Sequence, residues 1–240
     1  MLFDILLSDA SWLSTLEALD KQLLLALNGS DSLFLDRAAR TLTTALTWLP
    51  FYISLFYVVL KNNDSFLRIL LVLGGAGLCV LLAGAVDDMV VKPGVARWRP
   101  THDPEIGTLV DVVDGYRGGN YGFFSAHASN TFSIAVFFWW LVRSRLLTVA
   151  MVIWSLTNCW TRVYLGVHFP GDILVGLLWG FMVGSFSYWV YYRLSRNIAL
   201  GRRLISQQYT ATGYQHADAD IPVAVLVLTL VYALIKSCIL

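Results

Sequence analysis

The chain has 240 residues, 57% of them hydrophobic and only 14% charged, with a net charge of +1 and a mean hydropathy of +0.64. A soluble domain carries about a quarter of its residues charged, so these values exclude one and indicate an integral membrane protein with a single compact domain. The near-neutral balance gives no ground for a nucleic-acid partner.

Met1 to Asp9 lacks a basic region and carries Asp4, unlike a cleaved signal peptide. Between residues 11 and 27, Trp12, Leu13, Leu16, Leu19, Leu23 and Leu27 recur at helical spacing, interrupted by Glu17, Asp20 and Lys21. A run of about 20 apolar residues is absent. The stretch reads as an amphipathic helix, either lying on the membrane surface or packed on the protein. Asn28 to Asp31 reads as a helix stop and a new N-cap, followed by a short amphipathic piece bearing Asp36, Arg37 and Arg40.

Six membrane spans follow. They cover Leu42 to Leu60, with a kink expected at Pro50, then Phe66 to Val86, whose Gly74, Gly75 and Gly77 suit close helix approach. A polar segment runs from Asp87 to Tyr121. The remaining spans are Ser125 to Val142, Leu146 to Val163, Pro170 to Tyr192 and Ile221 to Ile239. The expected fold is an all-α six-span bundle with an N-terminal surface helix. It divides into a core over 1–195, a polar cytoplasmic linker over 196–219 and a C-terminal transmembrane helix over 220–240. Cys79, Cys159 and Cys238 sit in apolar runs without metal-ligand spacing and read as small buried hydrophobes. Trp48, Trp139, Trp140, Trp189, Tyr191 and Tyr192 read as interface anchors or span packing.

The spans alternate, so the turns at 61–65 and 143–145 and the linker at 193–219 share one side. That side holds Lys61, Arg143, Arg145, Arg193, Arg196, Arg202 and Arg203, and the positive-inside rule makes it cytoplasmic. The 87–121 loop, the turn before Pro170 and both termini then face the periplasm or cell exterior.

Three polar patches fall on that outer face. The first holds Lys92, Arg97, Arg99 and Pro100, the second Phe124, Ser125, Ala126 and His127, and the third Thr161, Arg162, His168 and Asp172. Lys92, Arg99 and Arg162 are cations near the membrane edge, and a guanidinium fork matches phosphate oxygens in pairs. Ser125 stands where an N-cap would, with free amides and the helix dipole favouring an anion beyond it. Asp172, four residues after His168, can bond one imidazole nitrogen and leave the other as a nucleophile. His127 can supply a proton to a leaving oxygen. No metal is needed for this division of labour. The acids Asp103, Glu105, Asp111 and Asp114 fit no calcium loop and read as a solvated loop, and Arg97 and Arg117 read as surface charge.

The pattern Lys92-x6-Arg99-Pro100, Ser125-x-His127 and Arg162-x5-His168-x3-Asp172 resembles the type 2 phosphatidic acid phosphatase family, whose site is shared with vanadium haloperoxidases and bacterial acid phosphatases. The chain departs from it where Phe124 and Ala126 replace a proline and a glycine, and where Thr161 replaces a serine. The resemblance implies that His168 attacks phosphorus to form a phosphohistidine, that Asp172 is its partner and that His127 is the acid for the leaving group. It also implies that Lys92, Arg99, Ser125, Ala126 and Arg162 hold the phosphate oxygens, with no cofactor. The expected activity is metal-independent hydrolysis of a lipid phosphomonoester or pyrophosphate at the bacterial inner membrane. The candidate substrates are undecaprenyl diphosphate, phosphatidic acid, phosphatidylglycerol phosphate and a lipid A phosphate. No obligate protein partner is evident. The alternatives are a lipid phosphotransferase, or a phospholipid transporter or binding protein that uses the cations without His168 as nucleophile.

Overall fold

The computed structural model describes residues 2–196 and 207–239, with side chains from Trp12 onward. Part of the expected cytoplasmic linker, including Arg202 and Arg203, lies outside the described residues. Among the described residues nine α-helices run in chain order: α1 (Leu2–Leu27), α2 (Leu33–Thr43), α3 (Leu49–Lys61), α4 (Phe66–Val80), α5 (Lys92–Val95), α6 (Ala126–Val142), α7 (Arg145–Tyr164), α8 (Pro170–Ser195) and α9 (His216–Ile239). Among the described residues the extended pairings are two isolated bridges, Trp98 with Tyr121 and Tyr209 with Gln215.

Among the described residues four helical segments are long and apolar enough to cross a membrane: Phe66–Val95, Arg145–Tyr164, Pro170–Ser195 and His216–Ile239. A fifth arises if Leu33–Thr43 and Ala45–Lys61, bent by 71°, form one broken span. The bend falls at Thr44, whose backbone is extended, and not at Pro50. Pro50 instead sits in the first turn of α3, where its missing N–H costs no helical hydrogen bond. The helix starting at Phe66 also outruns its expected end at Val86. Two π-helical turns, Leu81–Ala85 and Asp87–Val91, carry it into α5. Because a π turn pairs residues five apart, Asp87 and Lys92 come to one face and form an ion pair at 2.9 Å.

α6 is the central helix. It packs on α8, α7 and α4, and most of its residues are buried. Its contact with α8 is set by small residues at four-residue spacing. Gly176, Gly180 and Gly184 of α8 lie against the carbonyls of Ser125, Ser129 and Ser133. A Cβ on Gly176 would come within 2.8 Å of the Ser125 oxygen, and one on Gly180 within 2.7 Å of the Ser129 oxygen. This is a small-xxx-small seam of the kind that lets membrane helices approach at backbone distance. The expected Gly74–Gly77 cluster contributes one such contact, Gly75 against the Phe137 ring, while Gly74 and Gly77 face open space.

The main core joins Trp48, Phe51, Trp154, Phe137 and neighbours from α3, α6 and α7. α9 closes on α2, α3 and α7, burying Leu226 and Ala233. Cys79 and Cys159 are buried as expected, whereas Cys238, one residue from the end of α9, is exposed. α1 touches the body along a narrow stripe. Leu24 is buried against Ile106, Val110 and Phe169, while Trp12, Leu13, Leu16, Leu19 and Leu23 stay exposed.

The seam gives a paired prediction. Gly180→Ala forces a Cβ onto backbone that cannot rotate away, so it lowers the thermal midpoint in detergent by the equivalent of about 1–3 kcal/mol. Gly74→Ala, made where nothing lies within 4 Å, leaves the midpoint unchanged or raises it slightly through helix propensity. Equal effects in a fluorescence-monitored melt would refute the seam.

Candidate active site

The site begins where α7 ends. Arg162 lies in the last turn, and the chain reverses through Gly166, whose φ of +65° is left-handed. A Cβ there would also strike Val110 and Asn28. The amides of Val167 and His168 both return to the Arg162 carbonyl, at 3.0 and 3.3 Å. Phe169 then caps α8, and Pro170 occupies its first turn. The Asp172 carboxylate reaches back to accept the Phe169 amide at 3.0 Å. The tight turn thus brings Arg162, His168 and Asp172 together, with exposures of 2%, 2% and 0%.

Ser125 heads α6 as its N-cap, its hydroxyl oxygen accepting the Ala128 amide. The Ser125 amide donates to the Asp172 carbonyl at 3.1 Å, so of the three amides expected to be free it is already used. Those of Ala126 and His127 begin the helix, where no intrahelical acceptor exists. His127 is exposed at the mouth of the site, within Coulombic range of Arg162, His168, Arg99 and Lys92.

The polarity of His168 follows from its neighbours. Arg99 Nη1 lies 3.1 Å from His168 Nε2, and a guanidinium only donates. Nε2 therefore presents a lone pair and Nδ1 carries the proton. Nδ1 faces Asp172 Oδ2 at 3.6 Å, beyond hydrogen-bond length, and has no closer partner. Burial first, then the charges of Arg99, Arg162 and Lys92, hold the imidazole well below its ordinary pKa. These influences favour the neutral ring at physiological pH.

The cations divide into two groups. Lys92 is tied to Asp87 at 2.9 Å and to Asp88. Arg99 bonds neutral acceptors, the carbonyls of Tyr121 and Val167, each at 3.1 Å. Burial, then the like charge of Arg162, lower its pKa. Arg162 donates through Nη1 to the Tyr116 hydroxyl at 3.1 Å, while its buried Nε and Nη2 have no partner. A buried guanidinium with unpaired donors beside a second arginine is a costly arrangement in the protein alone. Among the described residues no three His, Cys, Asp or Glu side chains converge as a metal site.

Three residues at the site carried no such expectation. Arg97 is not a surface charge: it bonds Asp172 Oδ1 and Asp20 Oδ2, both at 2.7 Å, and stacks over Phe169 with its charge 4.3 Å from the ring centre. Its two-residue offset from Arg99 on an extended stretch puts both on one face, and that spacing was a usable signal. Tyr116 lies between Arg40 and Arg162. Asp87 has no exposure at all. The loop acids are likewise engaged: Lys21 pairs with Glu105 at 2.8 Å and Asp103 at 3.5 Å, and Asp114 with Arg40 at 3.4 Å.

Residues 65–196, which hold this buried histidine, its carboxylate neighbour and both arginines, match the PAP2 superfamily. The chain belongs to that superfamily. It is 38% identical over 185 residues to the lipid A 4'-phosphatase of Bacteroides thetaiotaomicron, covering 76% of this chain and 80% of that protein. It is 36% identical over 175 residues to the lipid A 4'-phosphatase of Porphyromonas gingivalis, covering 72% of each. A shorter match, 35% over 111 residues, is to a decaprenylphosphoryl-5-phosphoribose phosphatase of Mycobacterium tuberculosis, covering 46% of this chain and 55% of that one. No solved structure matches the chain.

The state of His168 is open to measurement. The unfolded chain takes up this proton near pH 6.5 and the folded protein only well below it. The group is therefore silent above pH 6.5 and destabilises the fold increasingly as pH falls beneath that value. Histidine-selective 15N NMR from pH 8 to pH 5.5 should show His168 remaining the neutral Nδ1–H tautomer, without an imidazolium signal. A titration midpoint near 6.5 for His168 would refute the assignment.

Proposed function

We propose that the protein is a lipid phosphatase that removes a phosphate monoester from lipid A through a phosphohistidine at His168, without a metal. The observation that carries this reading is the buried Arg162, with Nε and Nη2 unpartnered, next to a histidine whose Nε2 lone pair points to Arg99. A phosphoryl group placed there satisfies the guanidinium donors and meets the nucleophile at once.

In the first step the phosphate oxygens take the donors of Arg99 and Arg162, the Ser125 hydroxyl and the amides of Ala126 and His127. Lys92 joins them as it exchanges Asp87 and Asp88 for the substrate. Nε2 of His168 attacks phosphorus; the N–P bond forms and the P–O ester bond breaks. His127 gives its proton to the leaving oxygen. Asp172 holds the Nδ1–H and offsets the charge that develops on the ring. In the second step water attacks the phosphohistidine, His127 receives the water proton, and breaking the N–P bond releases orthophosphate and restores neutral His168.

The choice of lipid rests on the similar proteins named lipid A 4'-phosphatase. The membrane arrangement belongs to the same reading. Counting the bent pair, the 17-residue α6 and the four long helices makes six spans. Lys61, Arg143 and Arg193 lie at one end of their helices and face the cytoplasm. The site opens at the other end, toward the periplasm of an inner membrane, with α1 lying on that surface. Residues 1–195 then form the catalytic core, 196–219 a cytoplasmic linker and 220–240 the terminal transmembrane helix.

The test is phosphate release by the purified protein in detergent with chelator present. The panel comprises a lipid A bisphosphate, phosphatidic acid, phosphatidylglycerol phosphate and undecaprenyl diphosphate, and His168→Ala runs in parallel. The expected result is release from lipid A above the others, reduced at least about 10³-fold in His168→Ala. Equal release by both proteins would remove His168 as nucleophile. Preference for another lipid would move the substrate while leaving the chemistry.

A further inference from the structure

Beyond the histidine and its aspartate, the site contains a chain of alternating charge that leads out to α1. Asp172 offers Oδ2 to the Phe169 amide and to the His168 Nδ1 side. Its other oxygen, Oδ1, accepts from Arg97 Nη1 at 2.7 Å. Arg97 Nη2 donates onward to Asp20 Oδ2 at 2.7 Å, and Asp20 Oδ1 accepts the Gly171 amide at 2.7 Å. Asp20 therefore grips both the arginine and the first turn of α8. A Cβ on Gly171 would lie 2.7 Å from the Asp20 carboxylate, so the approach leaves no room for a side chain.

We infer that Arg97 and Asp20 are positioning residues for the phosphoryl-transfer reaction proposed above: together they fix the plane of the Asp172 carboxylate that orients His168. The inference rests on that reading of the site. Three physical points support it. A carboxylate held by the Phe169 amide alone could still rotate, whereas bonds to both oxygens, at Phe169 and at Arg97, fix its plane. Arg97 is charge-paired, with Nη1 and Nη2 each on a carboxylate and its face over Phe169, so unlike Arg162 it is not waiting for an anion. Asp20 arrives from α1, which meets the body through Asp20, Lys21 and Leu24, with Asn28 just beyond its end. Leucines on the rest of α1 are exposed. Docking of that helix and alignment of the reacting histidine thus share one carboxylate.

A residue of this kind acts on the transition state and hardly on ground-state phosphate binding, which separates it from a merely structural contact. The experiment compares the affinities of orthovanadate, which adopts the five-coordinate geometry of the transferring phosphoryl group, and inorganic phosphate. Both are measured by calorimetry on the full-length protein in detergent. In Asp20→Asn and Arg97→Gln the vanadate affinity should fall about 10- to 100-fold, with phosphate affinity within about 2-fold. The double variant should lose no more than Arg97→Gln alone, because the two residues act as one unit. Lys21→Gln, which loosens α1 from Glu105 and Asp103 but leaves the chain to Asp172 intact, should match wild type for both anions. Parallel loss of vanadate and phosphate binding, additive losses in the double variant, or a loss in Lys21→Gln as large as in Asp20→Asn would each overturn the inference. The lipid-panel assay is independent of this measurement. An inactive wild type would count against the proposed function, while an unchanged vanadate-to-phosphate ratio would count against the positioning role.

Discussion

The close seam between α6 and α8 is the constraint on which the site depends. Three glycines on α8 let its backbone rest on three serine carbonyls of α6, and lipid supplies no hydrophobic drive that would bring the helices so near by itself. The seam does more than hold the bundle. It places the N-termini of both helices side by side, so that the Ser125 amide bonds the Asp172 carbonyl. The anion-binding end of α6 and the histidine-aspartate turn before α8 are thereby locked at one level of the bundle. A slip of one helical turn would separate His168 from the amides at the start of α6, the pair on which the proposed function relies.

On this frame the charges fall into pairs that are closed and groups that are open. Arg97 with Asp20 and Asp172, and Lys92 with Asp87 and Asp88, are closed. Arg99 and Arg162 are open, resting on carbonyls, a ring nitrogen and a phenol. Two guanidinium groups repel each other in a buried setting, which is a cost to folding. Under the proposed function a phosphate would reverse the sign of that term, since each unpaired donor would gain a charge-assisted bond. Burial first, and then the same two charges, also keep His168 neutral, so under the proposed function one arrangement would both recruit the anion and preserve the lone pair that attacks it.

Much of this was legible in the residues. Arg162, His168 and Asp172 lie within one short stretch between apolar runs, and local spacing is what a sequence displays best. The all-helical class follows from hydropathy. Other features were hidden for identifiable reasons. The π turns that keep Asp87 and Lys92 on a helix break the 3.6-residue periodicity by which helices are read. The bend at Thr44 has no proline to mark it, while Pro50, the visible breaker, sits harmlessly in a first turn. α6 was legible as an apolar run, but its 17 residues and buried position make it the centre of the bundle. Gly74 to Gly77 looked like the packing motif because the glycines are contiguous. The working motif is spread over Gly176, Gly180 and Gly184, one per helical turn.

Arg97 shows most clearly why contacts distant in sequence escape such a reading. Beside Lys92 and Arg99 it looked like one more cation near headgroups. Its meaning depends on Asp20, 77 positions earlier, and on Asp172, 75 positions later, and neither separation has a period. Charge bookkeeping points the same way. If Arg97 were open like Arg162, the site would present another free cation, and the buried Asp172 would lack the counter-charge that keeps a carboxylate ionised away from water. An ionised Asp172 is what the Nδ1–H tautomer of His168 requires. The arginine that touches neither the phosphate site nor solvent freely is therefore the one that makes a buried aspartate tenable beside the histidine, and α1 is the element that keeps it in place.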